Sequence, residues 1–121
     1  RLTQLGPVLF AISSIVFGID HFLILKGIAS LVPAWIPGAL FWAYFTGAGF
    51  IAAGICMAIR WLDDWAGFWL GMMFLLWFLL LHAPRVTSYP RSHNPAEWSS
   101  AFIALGMCGG CWICARHSKR P

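Results

Sequence analysis

Charge is what this chain has least of. Only 10% of its 121 residues are Asp, Glu, Lys or Arg, and the acidic ones are Asp20, Asp63, Asp64 and Glu97 alone. A soluble domain carries about 25% charged residues, so a fully solvated surface cannot be assembled from this set. No basic face with interleaved aromatics exists to track phosphates, which excludes a nucleic-acid partner; the net charge of +4 comes from residues at the ends of apolar segments. Internal repeats, low-complexity tracts and linkers are also missing, so one domain, 1–121, accounts for the sequence.

What is present is apolar. Hydrophobic residues make up 60% of the chain, and the mean hydropathy is +0.77. Stretches 5–25, 39–59, 65–81 and 98–115 meet or approach the roughly 20 residues that a helix needs to cross a hydrocarbon core about 30 Å thick. Asp20 is the one formal charge inside them. A soluble helical bundle would show a polar stripe on each surface helix, yet Phe74-Leu75-Leu76-Trp77-Phe78-Leu79-Leu80-Leu81 has none. The fold expected is all-α, an integral membrane four-helix bundle with helices at about 2–26, 39–60, 64–83 and 95–115. The first of these exceeds a signal h-region and no small-residue cleavage pattern follows it, so it is expected to be a retained span.

Punctuation residues set the boundaries. Lys26-Gly27 suits the end of the first helix. Residues 28–38, apolar but broken by Pro33 and Pro37, are expected to form a short Pro-rich interfacial or re-entrant segment anchored by Trp35. Residues 60–64 allow only a tight reversal, after which Asp63 and Asp64 are placed to cap the third helix. His82-Ala83-Pro84 marks its end. Asn94-Pro95-Ala96-Glu97 reads as an N-cap, a first-turn proline and an acid at the third position of the fourth helix. Gly67-x-x-x-Gly71 and Gly106-x-x-x-Gly110 suggest close helix contacts.

Arg1, Arg60, Arg116, Lys119 and Arg120 fall on one side of such a bundle, and Lys26, Arg85 and Arg91 on the other. The excess favours cytoplasmic termini. Asp20 and His21 lie near the end of the first helix and His82 near the end of the third. These helices run in the same direction, so all three reach one rim, which also receives Trp35, Trp42, Arg85, Glu97 and Trp98. Tyr44 and Thr46 are placed to extend a cavity inward. Ionisable groups in a membrane face the interior or a wet cavity, which makes Asp20, His21, Trp35, Trp42 and His82 the ligand-binding candidates. Three chemistries suit them: a histidine and an acid binding a quinol between aromatic rings, two imidazoles on a haem iron, or a divalent metal shared with Asp20. Against these stands a structural role, with both imidazoles bonded at helix ends and Asp20 paired with Lys26 or Arg85. A quinone is favoured over haem, and no metal is expected. Cys108-x-x-Cys111-x-x-Cys114, with Cys56 at a corresponding depth, reads as buried packing in the cytoplasmic half, where disulfides do not persist.

The series Gly18-x-x-His21-Phe22, Val32-Pro33-x-Trp35-Ile36-Pro37, Trp42, Thr46-Gly47 and Leu81-His82-x-Pro84 resembles the DoxX-like group of small four-helix bacterial membrane proteins along nearly the whole chain. The resemblance implies an inner-membrane bundle, multi-pass, acting as a subunit of a quinol-linked electron-transfer complex. It carries over His21, Trp35, Pro37 and His82 as recurrent positions. The partners it implies are lipid and other membrane subunits. The alternative is a non-catalytic accessory subunit packed beside larger pigment- or cofactor-bearing chains. A transporter or channel has less behind it, because one acid near a rim provides no continuous polar path.

Overall fold

A computed structural model describes residues 2–88 and 90–118. Arg1, Lys119 and Arg120, counted above toward the orientation, lie outside the described residues. The described chain is all-helical, with four helices each long and apolar enough to cross a membrane: Leu5–Leu23, Ala39–Ala58, Asp63–Thr87 and Pro95–Arg116. Only 22% to 33% of each span is buried, so most of every helix turns apolar side chains outward. Leu9, Ile12, Val16 and Ile19 of the first are exposed in this way. That surface suits lipid and is unlike the polar stripe of a soluble bundle.

Helix α1 (Leu5–Leu23) is interrupted at Ile24 and resumes as α2 (Leu25–Leu31). The sequence placed a terminus at Lys26-Gly27. Instead, the amide of Ile28 bonds the carbonyl of Ile24 at 3.1 Å, carrying the backbone ladder across the glycine. Helix ends only at Val32, whose extended ψ of 128° is the conformation forced on a residue before proline. Gly38, at φ 74°, supplies the left-handed step into α3 (Ala39–Ala58).

The reversal after α3 uses two non-glycine residues at positive φ, Arg60 at 59° and Leu62 at 52°, a costly conformation kept here by the shortness of the connection. Helix α4 (Asp63–Trp77) has Leu62 at its cap position, so Asp63 and Asp64 sit in the first turn rather than before it. There Asp63 Oδ1 accepts the amide of Asp64 at 3.1 Å, and Asp64 Oδ1 accepts that of Trp65 at 2.9 Å. Both acids complement the helix dipole without being caps.

The third span does not stop at His82-Ala83-Pro84. A π turn (Phe78–His82) follows α4 and leads into α5 (Ala83–Thr87). In the π turn the amide of Ala83 reaches five residues back to Phe78. A proline removes a donor and crowds the carbonyl four residues earlier, and widening the preceding turn accommodates it. Helix α6 (Pro95–Ser118) starts as its sequence signature implies, with Asn94 Oδ1 accepting the amide of Ala96 at 3.0 Å.

Helix α1 packs chiefly on α3 and α4 chiefly on α6, while the pairs meet along α3 and α4. The contact between α1 and α3 is backbone-close and antiparallel. A methyl group added at Gly47 would fall 2.7 Å from His21 Cβ; one at Gly18 would fall 2.7 Å from the Gly47 carbonyl; one at Gly54 would fall 2.8 Å from the Ala11 carbonyl. Ser14, fully buried, donates across this seam to the carbonyl of Phe50 at 3.0 Å. In the other pair Gly67 lies against the Cys111 carbonyl and Gly71 against the Trp112 indole, whose Nε1 donates to the Phe68 carbonyl at 3.3 Å. The fourth-helix glycines divide: Gly110 meets Phe10, but Gly106 has nothing within 4 Å and makes no close contact.

Gly47→Ala is therefore expected to lower stability by roughly 1–3 kcal/mol through overpacking. Gly106→Ala should be neutral or stabilise by up to about 1 kcal/mol. Thermal unfolding of the two variants in detergent checks the contrast, and an equal response at both positions would contradict the packing described.

Candidate functional site

Backbone proximity between α1 and α3 dictates where His21 goes. It lies one turn beyond Gly18, directly over Gly47, and is 6% exposed. Its Nδ1 is 2.8 Å from the carbonyl of Phe17. A carbonyl only accepts, so Nδ1 holds the hydrogen, and the ring in its neutral form presents the lone pair of Nε2. Phe50 packs edge-on at 5.0 Å between centroids, with Phe17 at 5.4 Å. Orientation of this imidazole thus comes from a backbone carbonyl, not from Asp20.

His82 arrives from the other helix pair, on the π turn. Its Nδ1 is buried and has no hydrogen-bond partner among the described residues. An unpaired polar atom in such a place costs about 1–3 kcal/mol.

Both histidines line one cavity of about 250 Å³. Its walls are mostly apolar: Phe17, Phe50 and Phe74 on one side, and the perpendicular pair Trp42 and Trp77, 6.2 Å between centroids, on another. Ile28 and Leu31 of α2 also line it, so the helix inserted after the break at Ile24 supplies part of the wall. Thr46 and Ser100 add hydroxyls. The Trp42 indole is already committed, donating to the carbonyl of Pro37 at 3.1 Å. Pockets for drug-sized ligands run to ~300–1,000 Å³, so this one suits a single substituted ring rather than a haem macrocycle.

The residues singled out by sequence therefore separate. His21, Trp42 and His82 meet at the cavity. Asp20, next to His21 on the helix, faces outward. Trp35 is 71% exposed and borders a second groove instead, beyond a wall formed by Leu31, Val32 and Leu81. Tyr44 is exposed and meets the Phe22 ring, while Thr46 turns inward. Sequence reasoning missed Phe17, Phe50, Phe74 and Trp77. Counting depth from each helix end would have placed them near His21, but not their direction.

Arg85 and Glu97 join the end of the third span to the start of the fourth. Arg85 Nε donates to Glu97 Oε2 at 2.8 Å and Nη2 to Oε1 at 2.6 Å. The bidentate pair is shielded, its side chains 22% and 13% exposed, and both charges act on the imidazole of His82. Arg85 is accordingly paired with Glu97 rather than with Asp20, and Glu97 forms no capping box with Asn94.

Cys108 and Cys111 are buried and Cys56 and Cys114 partly so; all four are free thiols. Cys108 and Cys111 belong to the apolar core with Leu70 and Phe74. Among the described residues no three His, Cys, Asp or Glu side chains gather as a metal site.

Fold and cavity together define a class: a helical protein with four membrane-length apolar helices and a small, partly open apolar chamber that two histidines line. Comparison of the chain with protein-family models, with curated proteins and with solved structures finds no match.

Cutting one member of the ion pair should cost more than replacing both. Glu97→Gln is expected to destabilise by roughly 1–3 kcal/mol, because it strands a shielded guanidinium. Arg85→Met combined with Glu97→Leu should lose less, as measured by a double-mutant cycle on thermal unfolding.

Proposed function

We propose that this chain is a DoxX-like inner-membrane protein whose chamber binds the ring of a quinone or quinol, serving a redox complex of which it is an integral subunit. The observation that carries the proposal is the convergence of His21 and His82, from separate helix pairs, on one apolar cavity of about 250 Å³. Quinones combine a flat apolar ring with two oxygens that need hydrogen-bond partners, and the chamber offers aromatic walls with imidazole nitrogens among them. His21 Nε2 accepts a hydroxyl hydrogen of the quinol form. The His82 ring, also in the chamber wall, packs beside the second oxygen. Binding and holding a proton are what these residues supply; Asp20 has no part in either.

In this reading the Pro33–Pro37 segment lies at the outer membrane surface, with Trp35 at headgroup level. The termini then face the cytoplasm, and the thiols lie in the half of the bundle toward the reducing compartment.

A second reading has its own observation. Trp61, Trp65 and Trp69, spaced by four residues along the turn and first half of α4, are 63%, 60% and 62% exposed. So large an outward aromatic row supports an accessory subunit that packs beside larger membrane chains and does no chemistry.

Titration of the purified protein with a short-chain quinone separates the two. His21→Ala and His82→Ala are each expected to weaken binding about tenfold, the equivalent of one lost hydrogen bond, with helicity unchanged by circular dichroism. Wild-type affinity in both variants would reject the chamber as a quinone site and leave the accessory reading.

A further inference from the structure

The groove beyond the wall of the chamber has a different chemistry, and we infer that it holds the headgroup of an anionic phospholipid, a hydroxylated phosphodiester of the phosphatidylglycerol type. This inference is independent of what occupies the chamber. The groove lies where the third span ends, between the Pro-rich segment and residues 79–88 with Arg91, which is headgroup depth for a helix crossing a bilayer.

Charge selects the ligand. Two arginines, Arg85 and Arg91, line the groove. One carboxylate, that of Glu97, opposes them and occupies only Nε and Nη2 of Arg85. Nη1 of Arg85 is left with its donors, and Arg91 has no ion-pair partner among the described residues. The surplus is one positive charge, matched to a monoanionic phosphodiester.

The remaining lining completes an amphiphile's outline. Ser88 Oγ donates its hydrogen to the carbonyl of Pro84, which leaves its lone pairs to accept from a glycerol hydroxyl. Leu79 and Leu80 offer an apolar bed for acyl chains, and the exposed Trp35 indole stands at the lip. A soluble anion would gain nothing from the two leucines.

Native mass spectrometry of the full chain in detergent, with phosphatidylglycerol or phosphatidylcholine added, reads this directly. Phosphatidylglycerol should be retained at least fivefold better. Arg91→Gln should remove about fivefold of that preference, the worth of one arginine near a lipid surface, and Arg91→Lys should keep most of it. Arg116→Gln, an equal loss of charge at the opposite end of α6, should change nothing. Circular dichroism of each variant confirms retained helix. Equal retention of the two lipids, an equal effect of Arg116→Gln, or displacement of the lipid by millimolar inorganic phosphate would each overturn the inference.

Discussion

The seam between α1 and α3 is the contact on which the rest depends. In lipid there is no hydrophobic drive for one apolar helix to join another, so association needs close van der Waals approach and polar contacts across the interface. Here the approach is made by leaving side chains out: Gly18, Gly47 and Gly54 let each backbone rest on the other. Ser14 adds a buried hydrogen bond to the Phe50 carbonyl. Because His21 follows Gly18 by one turn, the same seam fixes its depth and sets its ring against Phe17 and Phe50. Phe50, one turn beyond Gly47, forms both the far side of the seam and the wall of the chamber.

Irregular helix accompanies function at the other end of the molecule. The break at Ile24 lets α2 cover the chamber, and the π turn before Pro84 sets His82 into its wall. Each departure leaves backbone groups that must be satisfied, and each is satisfied locally: Ile24 bonds Asp20, and Ala83 bonds Phe78. The Arg85–Glu97 bridge then ties the third span to the fourth. One rim thus carries both an apolar chamber and a basic groove, separated by Leu31, Val32 and Leu81. Toward the opposite end, Cys108 and Cys111 pack with Leu70 in regular helix.

Helix existence, number and apolar character were legible in the sequence, because a bilayer-length apolar run admits few other structures. The rim shared by His21 and His82 was also legible, since two helices separated by one antiparallel span end at the same surface. Boundaries were less so. Lys26-Gly27 and His82-Ala83-Pro84 both carry stop signals, yet the backbone continues through each by bonding across the glycine or widening a turn before the proline. Such adjustments cost little and depend on what the segment packs against.

Rotation about each helix axis is the part that spacing along the chain cannot specify when every face is apolar. Nothing in the sequence distinguishes Gly67, pressed against Cys111, from Gly106, which meets nothing; nor Thr46, turned inward, from Tyr44, turned out. Asp20 and His21 are adjacent, so one helix step of about 100° separates them, and the tertiary structure decided that the imidazole enters the protein while the carboxylate leaves it. Length and composition by themselves determined four spans and the surface at which their polar residues gather. Only the packing of backbone on backbone decided which of those residues share a chamber, because in lipid the choice of facing side rests on fit rather than on hydrophobicity.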